Sequence, residues 1–314
     1  MLASFGRLAG VLGLAFYLLA AILSVRIPRL DAWFGGLTRL WKIHHVLGAA
    51  AFLLLMAHPL LLAFAASVLS PRAAAAVLFP GPGAWSIWSG WAALAAMVVF
   101  LAPTFSFFGT PEYQKWKSLH ALSALALILG AAHAVSLSRT VPGVTWVSVG
   151  ALALLAFVYR KLISRVAGRQ GYTIVRVDSI GRGVVELSLK PDGDILRYSP
   201  GQFVYLTPQD PALAFGRGEE HPYTLSSAPD EPVLRIAIKD LGDATHALQT
   251  AACGGRVLIE GPYGGLFPPD AAPARELWIA GGIGVTPFLS LSRSLSADRP
   301  VDIQLIYCVQ DESR

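Results

Sequence analysis

The chain has 314 residues, room for about two domains at ~100–200 residues each. Only 14% of its residues are charged and 54% are hydrophobic, which excludes an ordinary soluble globular protein, where roughly 25% are charged. The charge is also segregated: residues 1–170 hold 13 Lys/Arg and two acids (Asp31, Glu112), net +11, whereas residues 171–314 hold 12 Lys/Arg and 18 acids, net −6. Because the basic residues flank apolar runs, they point to membrane topology and not to nucleic acid.

Apolar runs long enough to span a bilayer, ~20 residues, occur at 8–25, 43–69, 85–107, 119–137 and 144–163. The first, preceded by Arg7, reads as a span. It is long for a signal-peptide core, and no clear small-residue cleavage site precedes Arg26. Arg26, Arg29, Arg39 and Lys42 lie between runs one and two, Lys115 and Lys117 between three and four, and Arg160, Lys161, Arg165 and Arg169 after five. The alternate loops carry only Arg72 and Arg139. The expectation is a multi-pass protein of the cell (inner) membrane, in contact with lipid, with its N-terminus outside and everything after residue 165 in the cytoplasm.

Five of the seven histidines, His44, His45, His58, His120 and His133, fall in this half, on the second and fourth runs only. A polar ring at membrane depth is costly and faces a partner. His44 and His58 are 14 residues apart, about 21 Å at a rise of about 1.5 Å per residue, and His120 and His133 are 13 apart, about 20 Å. Both runs cross in the same direction. His44 therefore meets His120 near one face, and His58 meets His133 near the other. Two imidazoles on opposite sides of one plane suit a six-coordinate haem iron, whereas zinc asks for a tetrahedral cluster. Thirteen residues land about 140° off the starting face of an ideal helix, so either a local distortion, for instance at Gly130, or a haem approached from a different side is expected. His45 competes with His44 as ligand.

The stretch Lys42-Ile43-His44-His45-Val46-Leu47-Gly48 with His58, and Trp116-Lys117-Ser118-Leu119-His120 with His133, resemble the two haem helices of the ferric reductase and NADPH oxidase transmembrane family. In that family's register Gly48 selects His44 over His45. The resemblance implies two b-type haems on His44, His58, His120 and His133.

From Tyr172 the pattern changes. Tyr172–Val177 and Val184–Lys190 alternate in β fashion, punctuated by Gly181, Gly183, Pro191, Gly193, Pro200 and Gly201. They open a small antiparallel barrel over 171–268. Tyr198-Ser199-Pro200-Gly201-Gln202-Phe203 followed by His221-Pro222-Tyr223-Thr224-Leu225-Ser226-Ser227 resembles the flavin motif of the ferredoxin-reductase superfamily, with Tyr223 in place of the usual Phe. The resemblance implies that FAD lies along His221, Pro222, Tyr223, Thr224, Ser226 and Ser227, with Thr224 near the reactive edge and His221 toward the ribityl-pyrophosphate. Lys239, Gly242 and Thr245 lead into a helix expected over Thr245–Ala252, whose N-terminus is an anion site, and the segment resembles the one that holds the FAD pyrophosphate; Arg235 is a further phosphate candidate, and His246 reads as a surface residue. Gly261–Gly264 reads as a turn.

Leu277–Ala280 reads as a buried strand. Gly281, Gly282, Ile283, Gly284, Val285, Thr286 and Pro287 follow, with Thr286 as N-cap and Pro287 as the first helical residue. Glycines before a helix N-terminus make a phosphate cradle. The motif resembles the NAD(P) segment of the same superfamily, and a strand over Val301–Val309 would complete one β-α-β unit. Gln310 stands near where relatives place the residue that reads the NADP 2′-phosphate. Later strands of the family are not included, so the chain reads as truncated at its C-terminus, with slow reduction of its haems by NAD(P)H. The two cysteines, Cys253 and Cys308, form no metal-ligand spacing.

The expected architecture is thus a five-helix transmembrane di-haem bundle (1–165), an antiparallel β-barrel FAD domain (171–268) and the start of an α/β nucleotide-binding domain (275–314). By resemblance, electrons from NAD(P)H pass through FAD and two haems to an acceptor outside, dioxygen giving superoxide or a ferric chelate. The alternative is a non-enzymatic membrane cytochrome b that relays electrons to a partner protein or quinone.

Overall fold

The computed structural model describes residues 1–26, 30–104, 113–139, 141–164, 168–213, 216–267, 275–295 and 302–309. The chain forms two compact units. One comprises Met1–Val25 and Arg39–Ile163, the other Arg26–Thr38 and Ser164–Arg314. The segment 26–38, which joins the first two spans, therefore folds with the second unit.

Among the described residues five helical segments are long and apolar enough to cross a membrane: Leu2–Leu23, Leu37–Ser67, Trp85–Thr104, Lys115–Leu137 and Gly143–Ile163. In the first unit we label the helices α1 (Leu2–Leu23), α2 (Leu37–Ser67), α3 (Pro71–Leu78), α4 (Trp85–Leu101), α5 (Tyr113–Leu119), α6 (Ser123–Leu137) and α7 (Gly143–Val158). Helix α3 is capped by Ser70, whose hydroxyl accepts from the Ala73 N–H at 3.0 Å. Leu14, Tyr17, Leu18, Met97, Phe100, Leu127 and Trp146 pack as the core. Val46, Leu53, Leu60 and Phe64 lie exposed along α2, an apolar stripe suited to lipid and unsuited to water. On α1, Gly6 and Gly13 let α2 approach. A Cβ on either would stand 3.0 Å from Leu62 Cδ2 or 2.8 Å from Leu55 Cγ.

The distortion expected in the second histidine helix is present, but not at Gly130. His120–Leu122 forms a 3₁₀ turn between α5 and α6. A 3₁₀ turn winds about 120° per residue in place of about 100°, so three residues recover about 60° of the missing rotation.

The second unit holds a six-stranded antiparallel sheet in the order β4-β3-β6-β1-β2-β5. Its strands are β1 (Arg169–Gly181), β2 (Val184–Pro191), β3 (Phe203–Pro208), β4 (His221–Thr224), β5 (Leu234–Lys239) and β6 (Arg256–Tyr263). An antiparallel bridge between Leu225 and Ile236 joins the two ends of that order, so the sheet curls into a barrel. Its core includes Tyr172, Leu187, Leu189, Val204, Leu206, Ile236 and Ile259, and the Tyr172 hydroxyl accepts from the Leu196 N–H at 2.8 Å. The Gly261–Gly264 turn expected from sequence begins inside β6, where the Gly261–Pro262 peptide is cis. Strands β7 (Arg275–Gly281) and β8 (Asp302–Cys308) pair in parallel across helix α9 (Thr286–Ser294), and the short α8 spans Asp243–Leu248.

A buried ionic cluster sits in this unit. Arg26 Nη2 lies 2.7 Å from Glu220 Oε2, and its Nε lies 3.6 Å from Glu260 Oε1. Arg169 reaches the same two carboxylates at 2.9 and 3.4 Å, and Arg26 also stacks on Tyr205 with Cζ 3.8 Å from the ring centroid. Burial works against the Arg26 charge, but Glu220 and Glu260, with Tyr205 and Tyr263, hold its pKa above the ordinary value. Glu260 further accepts from the Tyr263 hydroxyl at 2.9 Å. Removing one partner of such a buried set costs about 3–5 kcal/mol because a charge is left uncompensated. Glu260→Ala should lower the melting temperature of the purified protein markedly, whereas Asp192→Ala, at the exposed Arg256 pair, should leave the melting curve in place.

Candidate cofactor sites

Two clusters of polar groups stand out, one in each unit. In the helical unit the four histidines form two cross-helix pairs. The ring centroids of His44 and His120 are 6.5 Å apart, and those of His58 and His133 are 6.2 Å apart. Two imidazoles bound trans to one metal, each at about 2 Å from ring nitrogen to metal, place their centroids about 6 Å apart. His58 Nδ1 bonds the Gly6 carbonyl at 2.7 Å, His133 Nδ1 the Ser86 carbonyl at 2.6 Å, and His44 Nδ1 the Ala20 carbonyl at 2.8 Å. A carbonyl only accepts, so each Nδ1 carries the proton and each Nε2 keeps a free lone pair. This tautomer and ring orientation suit a metal-ligating histidine. His120 Nδ1 is buried without a partner among the described residues, and its ring packs between Trp116 and Phe100, each 5.0 Å away between centroids. His45 is exposed and touches His44 edge-on at 5.7 Å.

The His58–His133 pair opens onto a cavity of about 730 Å³, within the ~300–1,000 Å³ range of cofactor pockets. Apolar side chains dominate its wall. Arg7, Arg139 and Trp146 also line it, and the buried Trp146 indole N–H has no hydrogen-bond partner. Sequence reading counted the arginines only as topology signals and passed over Trp146, because neither tells from spacing which cavity it lines.

In the barrel, β4 carries His221–Thr224 and pairs with β3, so that Tyr223 lies opposite Val204 and Thr224 opposite Phe203. His221 Nε2 lies 3.3 Å from Glu219 Oε2. The Tyr223 hydroxyl is buried without a partner among the described residues, and desolvation pushes its pKa up to about 12, so it stays protonated at neutral pH. Ser226 and Ser227, expected beside the cofactor, are instead fully buried. The Ser226 hydroxyl donates to Glu186 at 2.8 Å. The Ser227 hydroxyl accepts from the Arg235 N–H at 3.0 Å and bonds the Tyr198 hydroxyl at 2.7 Å. Their side chains are consumed in holding the strand end. Arg235, expected to reach phosphate, is held by Glu231 at 2.7 Å and lies 3.7 Å from Glu186.

Lys239 closes β5, and Gly242 precedes α8, which starts at Asp243 and ends at Leu248, sooner than Ala252. Thr245 accepts from the Leu241 N–H at 2.8 Å and donates to the Gly242 carbonyl at 2.9 Å, fixing that turn. His246 is exposed and pairs with Asp240 at 2.7 Å, which raises its pKa.

Gly281 ends β7, and Gly282, Ile283, Gly284 and Val285 form a 3₁₀ turn that runs into α9. Thr286 is the first helical residue and not the N-cap, with Pro287 following it. Its hydroxyl donates to the Ile283 carbonyl at 3.0 Å, because the preceding turn is already wound. Helix α9 is fastened to the flavin-motif strand. Ser290 donates to the Ser227 carbonyl at 2.6 Å, and Arg293 reaches the Ser226 carbonyl at 2.7 Å and Glu186 at 3.2 Å. Gln310 lies outside the described residues.

Comparison with known proteins matches this division. Residues 9–131 match the ferric reductase like transmembrane component family, and residues 169–266 match an FAD-binding domain family. The chain thus joins a segment similar to the ferric reductase like transmembrane component to one similar to an FAD-binding domain. It is 32% identical over 155 residues to human NADPH oxidase 3, covering 44% of this chain and 26% of that protein. It is 34% identical over 139 residues to a superoxide-generating NADPH oxidase heavy chain of Dictyostelium discoideum, covering 36% and 18%. The chain thus spans about a quarter or less of these relatives. Among solved structures, a cytochrome P450 reductase from Amycolatopsis is similar at 27% identity and a TM-score of 0.40, over 46% of this chain and 44% of that one. The flavohaem-like FAD/NAD-binding domain of a Vibrio cholerae nitric oxide dioxygenase is similar at 22% identity and a TM-score of 0.41, over 46% and 64%.

The Tyr223 hydroxyl, without a partner among the described residues, generates a test. If it bonds the flavin, Tyr223→Phe removes one hydrogen bond of about 0.5–1.5 kcal/mol and weakens FAD retention by about 2–10-fold. Equilibrium dialysis against FAD measures this, and unchanged retention would place the hydroxyl elsewhere.

Proposed function

We propose that the chain moves electrons across a membrane, from cytosolic NAD(P)H through FAD to two b-type haems and an acceptor on the outer face. The observation that carries the reading is the pair of cross-helix histidine sets. Three of the four rings are locked by backbone carbonyls with Nε2 free. Flavin and haem, when bound, supply the conversion of a two-electron hydride into single electrons and their passage through the apolar layer.

His44 and His120 would hold one iron, and His58 and His133 the other. Two imidazole ligands to each iron would suit electron transfer. The exposure of His45 favours His44 as the ligand. Around the His58–His133 cavity, Arg7, Arg139 and the Trp146 N–H would supply cations and a donor to haem carboxylates. In the barrel, His221, Pro222, Tyr223 and Thr224 would line the flavin, and Lys239, Gly242 and Thr245 would frame its pyrophosphate. Gly281–Pro287 would receive the phosphates of NAD(P)H at the start of α9. The basic loops on one side support a reading with the flavin unit in the cytoplasm and the N-terminus outside. Dioxygen or a ferric chelate, reduced outside, is the acceptor class that fits the family.

The test is an optical spectrum and pyridine haemochrome assay on the full 314-residue chain purified in detergent. Two haems b per chain are expected. His58→Ala and His133→Ala should each remove one equivalent, His44→Ala and His120→Ala the other, and His45→Ala neither. A wild-type chain without haem would end this reading, and haem without flavin would favour a membrane cytochrome that relays electrons.

A further inference from the structure

The carbonyls that hold the His58 and His133 rings share one local design. The Gly6 carbonyl, on α1, is followed four residues later by Gly10, and the Ser86 carbonyl, on α4, by Gly90. In a helix the carbonyl of residue i already accepts the N–H of residue i+4. Its second lone pair can take an outside donor only where the neighbouring side chains leave room. At both sites that room is the missing Cβ. A Cβ on Gly10 would stand 2.7 Å from His58 Nδ1 and 2.9 Å from its Cε1, and one on Gly90 would stand 2.6 Å and 2.8 Å from the same atoms of His133. Real Cβ atoms do not approach that closely, so either ring would have to leave its carbonyl.

The other pair is built without this device. His44 takes the Ala20 carbonyl in the last turn of α1, where the Ser24 N–H turns to Ala21. A carbonyl at a helix end is free for an outside donor without any glycine. His120 Nδ1 has no partner among the described residues. Gly48 and Gly130, on the histidine-bearing spans themselves, do not touch an imidazole. A Cβ on Gly48 meets nothing within 4 Å, and one on Gly130 meets Leu14 at 3.5 Å.

We propose that Gly10 and Gly90 are positioning residues for the His58–His133 metal site: by lacking a side chain, each admits an imidazole to the carbonyl four residues earlier, which fixes the Nδ1–H tautomer and aims Nε2 at the metal. This rests on the haem reading above and adds what makes one of its two sites dependent on helix backbone. A hydrogen bond from Nδ1–H to a carbonyl raises the basicity of the ligand. Losing it weakens the ligand and lifts the midpoint potential of the iron it holds.

The experiment compares Gly10→Ala and Gly90→Ala with wild type and three controls in the full chain in detergent. Alanine is the better helix former by about 0.8–1.0 kcal/mol, so helix propensity cannot explain a loss. Gly143→Ala and Gly150→Ala test glycine replacement away from the rings and the cavity, where a Cβ would stand 3.8 Å from Val135 and 3.4 Å from Ala131. Gly13→Ala places a Cβ 2.8 Å from Leu55 Cγ, a similar insult on the same helix that meets an aliphatic chain. Haem per chain, the low-spin EPR signals and the two midpoint potentials are read, with flavin content as a check on the second unit. G10A and G90A should either drop to one haem or keep two with one EPR signal altered and one midpoint raised. The three controls should keep two haems with wild-type signals. Wild-type haem content, EPR signals and potentials in G10A and G90A would overturn the proposal and leave the haem reading standing. So would equal loss in G13A, or failure of G10A and G90A to accumulate together with G13A, since either assigns the glycines to packing alone. A wild-type chain without haem would overturn both.

Discussion

An imidazole N–H inside an apolar layer is costly without an acceptor, and for His44, His58 and His133 that acceptor is helix backbone. Side chains that could serve are scarce there, since residues 1–170 contain only two carboxylates. Backbone carbonyls are abundant but committed to their own helices, and unsatisfied polar groups are expensive without water. The Gly6 and Ser86 carbonyls, inside helices, accept a second bond, and the Ala20 carbonyl, at the end of α1, takes the third ring. The packing of α1 and α4 against the histidine helices follows from that requirement. The helices that carry no histidine are the ones that orient the histidines.

The second unit solves the opposite problem. It is rich in charge, and it buries Arg26, Glu220 and Glu260 together, with Arg169 beside them. Glu220 directly precedes the flavin-motif strand, and Glu260 directly precedes the Gly261–Gly264 segment. The ionic cluster therefore pins the ends of two flavin-barrel strands to residue 26, which belongs to the connection between two spans. A second polar network, Glu186 with Ser226 and Arg293, ties α9 to the same flavin strand. The nucleotide-motif helix and the flavin motif thus share one carboxylate and adjacent backbone carbonyls, and neither can shift without disturbing the other.

The residues in these networks were the hardest to read in advance. Ser226 and Ser227 sit in a motif whose resemblance implied cofactor contact, yet their hydroxyls face inward and are spent on Glu186, Tyr198 and the Arg235 backbone. Arg235 was expected at phosphate and is held by carboxylates. Alternation along a strand gives the face of a residue, but whether a buried hydroxyl serves the cofactor or the fold depends on which carboxylate another strand brings beside it.

The sequence by itself determined the five spans, their charge asymmetry, the switch to β-alternation near Tyr172 and the matched spacing of the histidines. Those follow from period, length and composition, which are local. The need for a distortion in the second histidine helix was legible too, as an angular mismatch. Its location was not, because Gly130 is the permissive residue, while the 3₁₀ turn forms at His120–Leu122. Only the tertiary structure decided which carbonyls take the ring N–H groups, why Gly10 and Gly90 have no side chain, and that residues 26–38 fold with the flavin unit. Each of these depends on a partner far along the chain. His58 and Gly6 are 52 residues apart, and Arg26 and Glu220 nearly two hundred. Periodicity in one segment carries no information about the backbone of another.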